Sequence, residues 1–335
     1  MTVRLGPWSV RLAPRSLLVC AALVAIGCGV GVAAIATGEF TVSVPDVLDA
    51  LFGQGTPVAE LIVSRLRAPR VVTGLLVGAA FGAGGAIFQS LTKNPLGSPD
   101  FVGFTAGAST GGILAVVAGG SAMTIAGGAL AGCVVTAVLV YALAFRRGVQ
   151  GYRLVLVGIG ANTLLLAVNN YLLTRANIND AATAGAWLTG SLAGRGWAHA
   201  IPVAVALAVL LPVCALVARP MRMIEMGDDA ARAMGVKVEA VRAAAITAGV
   251  LLTGVATAAA GPVVFVALAA PQIARRLIRS PGVTMGASAL MGAVLLTASD
   301  LVAQRLLAPT QLPVGVVTAA IGGTYLALLL RKDRH

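Results

Sequence analysis

Apolar runs of about 20 residues, each long enough to cross the ~30 Å hydrocarbon core of a bilayer as a helix, recur along the whole chain. Ten spans are predicted: residues 17–37, 70–91, 101–120, 122–145, 152–174, 199–218, 241–260, 262–278, 284–307 and 313–330. The stretch 262–278 is the shortest of them. Two polar stretches between the spans are long enough to fold locally. One covers 38–69, with Pro45, Asp46, Gly53 and Pro57 marking turns and short helices. The other covers 175–198, with Asn177, Asn179, Asp180 and Gly185 near its start and a turn at 190–196. A third stretch, 219–242, is charged and helix-patterned, with five basic and four acidic residues between two apolar runs. Residues 221–226 fit about one and a half helical turns, and Gly227 interrupts them. Asp228 or Asp229 can cap a helix over 230–234, and Gly235 supplies a left-handed stop. Met223, Met226 and Met234 offer adaptable apolar contacts, so the stretch reads as a docking knob rather than a loop on the headgroups.

Glycines punctuate the spans at every fourth position: Gly74, Gly78 and Gly82; Gly103, Gly107 and Gly111; Gly128 and Gly132. Such spacing lets helix backbones approach closely and predicts a tightly packed multi-helix body. The first run is longer than the 7–15 residues of a signal-peptide core, roughly, and reads as a retained span. No linker divides the chain, so residues 1–335 read as a single integral-membrane domain, with a short N-terminal segment, 1–16, and the water-facing segment 219–242.

Composition agrees: 58% of residues are hydrophobic and 11% charged, against about 25% charged in average soluble chains. The net charge of +12 raises the question of nucleic acid, but its distribution answers otherwise. With the N-terminus in the cytoplasm, 18 of the 24 basic residues fall inside: Arg4, Arg11, Arg15, Lys93, Arg146, Arg147, Arg153, Arg219, Arg222, Arg232, Lys237, Arg242, Arg275, Arg276, Arg279, Arg331, Lys332 and Arg334. Arg65, Arg67, Arg70, Arg175, Arg195 and Arg305 fall outside. This is the positive-inside bias, and it puts both termini in the cytoplasm. No nucleic-acid partner is expected.

Several chemistries lack raw material. His199 and His335 are the only histidines, and Cys20, Cys28, Cys133 and Cys214 have no metal-type spacing, so no metal site, cofactor or catalytic triad is expected. Lys93, Lys237 and Lys332 are the only lysines and none lies in a P-loop. Of the twelve acids only Asp300 falls clearly within a span, which is poor material for a proton relay. Asn162, Asn169 and Asn170 share one face of the fifth span. That face looks toward a wet cavity or toward interhelical hydrogen bonds, with both open. Gln89, Asn94 and Pro95 form a second polar cluster at the inner end of span two. Arg67 and Arg70 sit at its outer end, where a rim of positive charge suits an acidic partner or an anionic ligand.

At these residues the sequence resembles the permease subunits of ABC importers for iron–siderophore complexes and vitamin B12. The resemblance is carried by Arg67-Ala68-Pro69-Arg70, Gln89, Lys93-Asn94-Pro95-Leu96-Gly97-Ser98-Pro99, the segment from Met226-Gly227 to Met234-Gly235-Val236, Gly261-Pro262-Val263-Val264-Phe265-Val266, Pro271-Gln272-Ile273-Ala274-Arg275-Arg276, Asp300 and Leu312-Pro313-Val314-Gly315. Within the family it is most similar to the second permease half of ferric-catecholate (enterobactin-type) importers, through 155–160, 172–176 and 270–277. The resemblance implies an all-α integral membrane protein of about ten transmembrane helices, with the fold of the vitamin B12 permease, in the bacterial cytoplasmic membrane. It implies ATP-binding subunits that hydrolyse ATP on this chain's behalf, a second, distinct permease, an external or periplasmic substrate-binding protein, and a ferric siderophore as cargo. By position, binding-protein docking falls on Arg67 and Arg70, with Arg305 one residue, about 100° on a helix, from the family's third arginine at Gln304. ATPase coupling falls on 221–236, including Met223, Met226, Gly227, Ala231, Arg232, Met234 and Gly235. The pathway would be bordered by Gln89, Asn162 and Asn169. The chain departs from many members at Gln272, where they have His, and at Gln311, where they have Glu. Haem or cobalamin are the runner-up cargoes, and an ion-coupled transporter working alone is the rival from another class.

Overall fold

The structure, a computed structural model, describes residues 2–5, 8–11, 14–38, 40–145, 151–279, 282 and 284–332. Arg146, Arg147 and Arg334, assigned above to the cytoplasmic side, and Glu39, Asp333 and His335 lie outside the described residues. A short antiparallel hairpin, β1 (Thr2–Leu5) and β2 (Trp8–Arg11), leads into an otherwise helical chain. The helices are α1 (Pro14–Ala36), α2 (Val44–Leu51), α3 (Pro57–Glu60), then a π-helical stretch (Leu61–Arg67) running into α4 (Ala68–Thr92). They continue with α5 (Phe104–Val117), α6 (Ala122–Ala144), α7 (Gly151–Arg175), α8 (Ile178–Leu188) and α9 (Trp197–Glu225). The last five are α10 (Asp228–Ala233), α11 (Val238–Ala260), α12 (Val266–Ile278), α13 (Met285–Arg305) and α14 (Val314–Lys332).

Each of the ten predicted spans coincides with a helix: α1, α4, α5, α6, α7, α9, α11, α12, α13 and α14. Seven are long and apolar enough to cross a membrane, the second of them counted from Pro57 to Thr92. α5, with 14 residues, rises only about 21 Å, and α12 is shorter still at 13 residues. Irregular backbone at 93–103 and 261–265 precedes these two helices. Gly103, with φ +87°, lies against the backbone of Asn162, near the midpoint of the 25-residue α7. The loop before α5 therefore returns into the bundle to mid-span depth. Non-helical backbone is tolerated there only when it is buried in protein or lines a cavity.

Two boundaries differ from the sequence reading. The helix holding span two begins at Pro57, because Thr56 accepts from the amide of Ala59 as its cap, and the chain stays helical through the π-helical stretch and past Pro69 to Thr92. α9 runs unbroken to Glu225, so 221–226 is its last turns rather than a separate piece. The chain has no glycine between Gly196 and Gly227 to stop it, and Gly227 does so at φ +131°.

The glycine ladders are where the helices touch. A Cβ on Gly78 would strike the carbonyl of Gly292, and one on Gly82 that of Ser288, so α4 and α13 meet backbone to backbone. Gly107 with Gly132, and Gly111 with Gly128, do the same for α5 and α6. α4 packs against α1, α9, α11, α12 and α13. In the most apolar 18-residue stretch of its helix, 78% of residues are buried, against 11% in α7. α7 is thus an edge helix that nevertheless carries three asparagines.

Candidate functional site

At one end of the bundle, α9, α10 and α11 form a hairpin-like projection. Ile224, Ala231 and Val238 are buried together, with Met223 and Val236 packed on them. The Gly235 amide bonds the Arg232 carbonyl at 2.9 Å and the Val236 amide bonds the Ala231 carbonyl at 3.0 Å. With Gly235 at φ +82° this is a Schellman stop. At the start of α10, Gly227 holds the cap position. Asp228 and Asp229, expected as caps, instead lie in the first turn, where their charge favours the helix dipole. Asp228 accepts from the buried Arg242 at 2.7 Å, and Glu239 from the same guanidinium at 3.4 Å. Glu225 accepts from Ser90 Oγ at 2.6 Å, tying the projection to the end of α4. Arg232 pairs with Asp229 in the open. Met226 and Met234 remain 68% and 49% exposed.

At the opposite end, Arg70 makes a two-pronged ion pair with Asp300, Nε to Oδ2 at 2.9 Å and Nη2 to Oδ1 at 2.9 Å. Its third nitrogen donates to Gln311 Oε1 at 2.8 Å, and Gln304 donates to Asp300 Oδ2 at 2.8 Å. The one acid foreseen inside a span is therefore neutralised by an arginine. Arg67 donates to the carbonyls of Ile35 and Phe40 at 2.7 and 2.6 Å, pinning the chain that leaves α1. Arg305 is exposed beside a cavity of about 310 Å³ that includes Gly38, Gln304 and Gln311. Neither Arg67 nor Arg305 has an acidic partner among the described residues. In the nearby turn, burial pulls the Arg195 guanidinium below its ordinary value. It lies 3.2 Å from His199 Nε2.

Between the two ends lies a cavity of about 440 Å³, lined among others by Asp100, Thr105, Asn162, Asn169, Asn170 and Phe265. Both readings left open for the asparagine face hold, for different residues. Asn169 is buried and ties α7 to α5, accepting from Thr110 Oγ1 at 2.6 Å and donating to the Ala106 carbonyl at 3.3 Å. Asn162 and Asn170 line the cavity and have no such ties among the described residues. Gln89, expected on the pathway, does not line this cavity. It is buried, donating to the Leu268 carbonyl at 2.9 Å and accepting from Gln272 at 2.6 Å. Gln272 also donates to the Pro95 carbonyl at 3.0 Å. The pair of glutamines thus fastens α12 and the turn after α4 to one point. The sequence reading missed Asp100, taking it for a loop acid. The signal was present: an acid just ahead of Gly103 and Thr105, at the start of an apolar run.

The profile of the FecCD transport family matches residues 23–332. The ferric enterobactin transport system permease protein FepG of Escherichia coli (strain K12) is 45% identical over 320 residues, 95% of this chain and 97% of that one. The achromobactin transport system permease protein CbrC of Dickeya dadantii (strain 3937) is 37% identical over 311 residues, covering 91% and 88% of the two chains. A solved structure of a metal-chelate type ABC transporter in an inward-facing conformation superposes with a TM-score of 0.83 at 26% identity, over 94% of this chain and 99% of that one. The architecture is that of an ABC importer permease, and the chain belongs to the FecCD transport family.

Proposed function

We propose that this chain is the transmembrane permease subunit of an ATP-driven importer for ferric siderophores of the catecholate type. The observation that carries the reading is the 45% identity to a ferric enterobactin permease along 95% of the chain. The whole chain acts as one permease domain in the bacterial cytoplasmic membrane, with both termini and α10 on the cytoplasmic side. The bias of 18 basic residues to that side supports the orientation. ATP is hydrolysed by separate subunits that dock on α10 and its flanks through Met223, Met226, Gly227, Ala231, Arg232, Met234 and Gly235. Exposed thioethers on a scaffold held by Arg242 suit such a contact. A distinct second permease pairs along the weakly buried α7, and the cargo passes between the two chains beside Asn162 and Asn169, with Gln89 bracing the wall from behind. A substrate-binding protein docks outside on Arg67 and Arg305, which pair with no acid among the described residues, while Arg70 stiffens that rim through Asp300. No bond in the cargo is made or broken; closure of the ATPases tilts the helices between two packings.

Uptake of radiolabelled ferric enterobactin by cells lacking this chain, with and without a plasmid copy, tests the assignment. Restoration of energy-dependent uptake by the plasmid is expected. Equal uptake in both strains would overturn the assignment.

A further inference from the structure

The cavity wall holds one ionisable side chain, and it stands where an anion is best received. α5 and α12 both begin at this cavity: Thr105 and Ala106 of the one, and Phe265 and Leu268 of the other, line it. A helix start presents unsatisfied amides and about half a positive charge. Asp100 sits on both starts. Its Oδ1 accepts from Thr105 Oγ1 at 2.6 Å, and the carboxylate also accepts from the backbone N–H of Phe265. That contact pins Phe265 in a left-handed conformation, φ +69°, with its ring against Gly322. A second observation points independently to a ligand. Ser98 also lines the cavity, is wholly buried, and its Oγ has no hydrogen-bond partner among the described residues. A buried hydroxyl without a partner is costly and asks for an explanation. Asn162 and Asn170 add amide donors to the same wall. The wall is therefore a cradle for an anion, and its own carboxylate already occupies it.

We propose that Asp100 is the resident anion of this cradle, and that it keeps the anionic cargo from lodging there during passage. The inference rests on the cargo assigned above: catecholate dianions outnumber the positive charge of the iron they bind, so the complex is an anion. A pathway must bind well enough to admit its cargo and weakly enough to release it. Two helix starts, a free hydroxyl and two amides, left uncompensated, would hold an anion too long. Asp100 takes up the Thr105 hydroxyl and the Phe265 amide, leaves the Ser98 hydroxyl unpaired, and presents a like charge to whatever passes.

The test uses the assembled importer, with both permeases, ATPases and binding protein, in proteoliposomes, and the detergent-solubilised complex without binding protein for equilibrium binding of ferric enterobactin. Asp100→Asn should tighten that binding by about tenfold or more, each factor of ten being one 1.4 kcal/mol step, and slow maximal uptake by a similar factor. Asp100→Glu should restore both. Asn162→Lys adds a cation to the wall without touching the hydrogen bonds of Asp100, and should reproduce the tight, slow behaviour should Asp100→Asn fail to insert. Unchanged binding in Asp100→Asn, or in Asn162→Lys where the first does not insert, overturns the proposal. Lost uptake with unchanged binding marks Asp100 as structural only. If the unmodified importer takes up no ferric enterobactin, the cargo assignment itself falls, a result distinct from any behaviour of the variants.

Discussion

The two ends of this bundle can be compared directly. At the α10 end the buried Arg242 holds Asp228 and Glu239, and the groups left bare beside it are the thioethers of Met226 and Met234. At the opposite end Arg70 holds Asp300, and the charges without an acidic partner among the described residues are those of Arg67, bound to two backbone carbonyls, and the exposed Arg305. In each case one arginine, buried at Arg242 and half-buried at Arg70, is consumed in positioning, and its neighbours form the contact surface proposed above. The surfaces differ as their partners would. Adaptable apolar contacts suit a rigid coupling joint that must transmit force. Long-range charge suits a soluble protein that must be found and released. An arginine's place in a motif does not reveal which of the two jobs it has.

The comparison can be broken at four places. The largest effect is expected from Arg70→Ala, which strands a buried carboxylate and should cost about 3–5 kcal/mol. A fall in melting temperature far beyond that of Arg67→Ala would show it, and equal falls would show that Arg70 is no more structural than its neighbour. Gly235→Val comes next, because a β-branched residue is strained at φ +82° although open space surrounds the site. Uptake should fall roughly tenfold or more if the stop aims the joint, with normal membrane insertion on immunoblots; unimpaired uptake would reduce α10 to a passive loop. Met226→Glu should leave stability within about 0.5 kcal/mol yet weaken co-purification of the ATPase, an effect confined to the apolar surface. The smallest effect is expected from Arg305→Glu: a higher KM for the loaded binding protein, vanishing at high salt, with maximal uptake intact. A salt-independent loss would mean that Arg305 works through packing.

Much of this architecture is legible along the chain, and the limits have physical causes. The ten spans follow from apolar length alone, and the glycine ladders at Gly78–Gly82 and Gly107–Gly111 are the close contacts they look like. The Gly227 and Gly235 breaks around α10 could be read because a glycine's backbone freedom is local. What could not be read depends on partners far away in sequence. Arg70 finds Asp300 across 230 residues, and Gln89 finds Gln272 across 183. The depth of Asp100 depends on Gly103 seating against Asn162 in another helix, so a residue that reads as a loop acid lies in the wall of the central cavity. The end of α9 was missed for the opposite reason: a charged, methionine-rich sequence opening on Arg219-Pro220 suggested a new element, but α9 carries Pro220 within it and runs on to Glu225.

The central claim, that this chain is the membrane half of an ATP-driven machine, is tested most directly by purifying it, tagged, from native membranes in mild detergent and identifying what accompanies it. The account predicts a P-loop ATPase and a second, distinct permease in the same complex. Recovery of the folded chain with neither would contradict it and favour an ion-coupled transporter working alone.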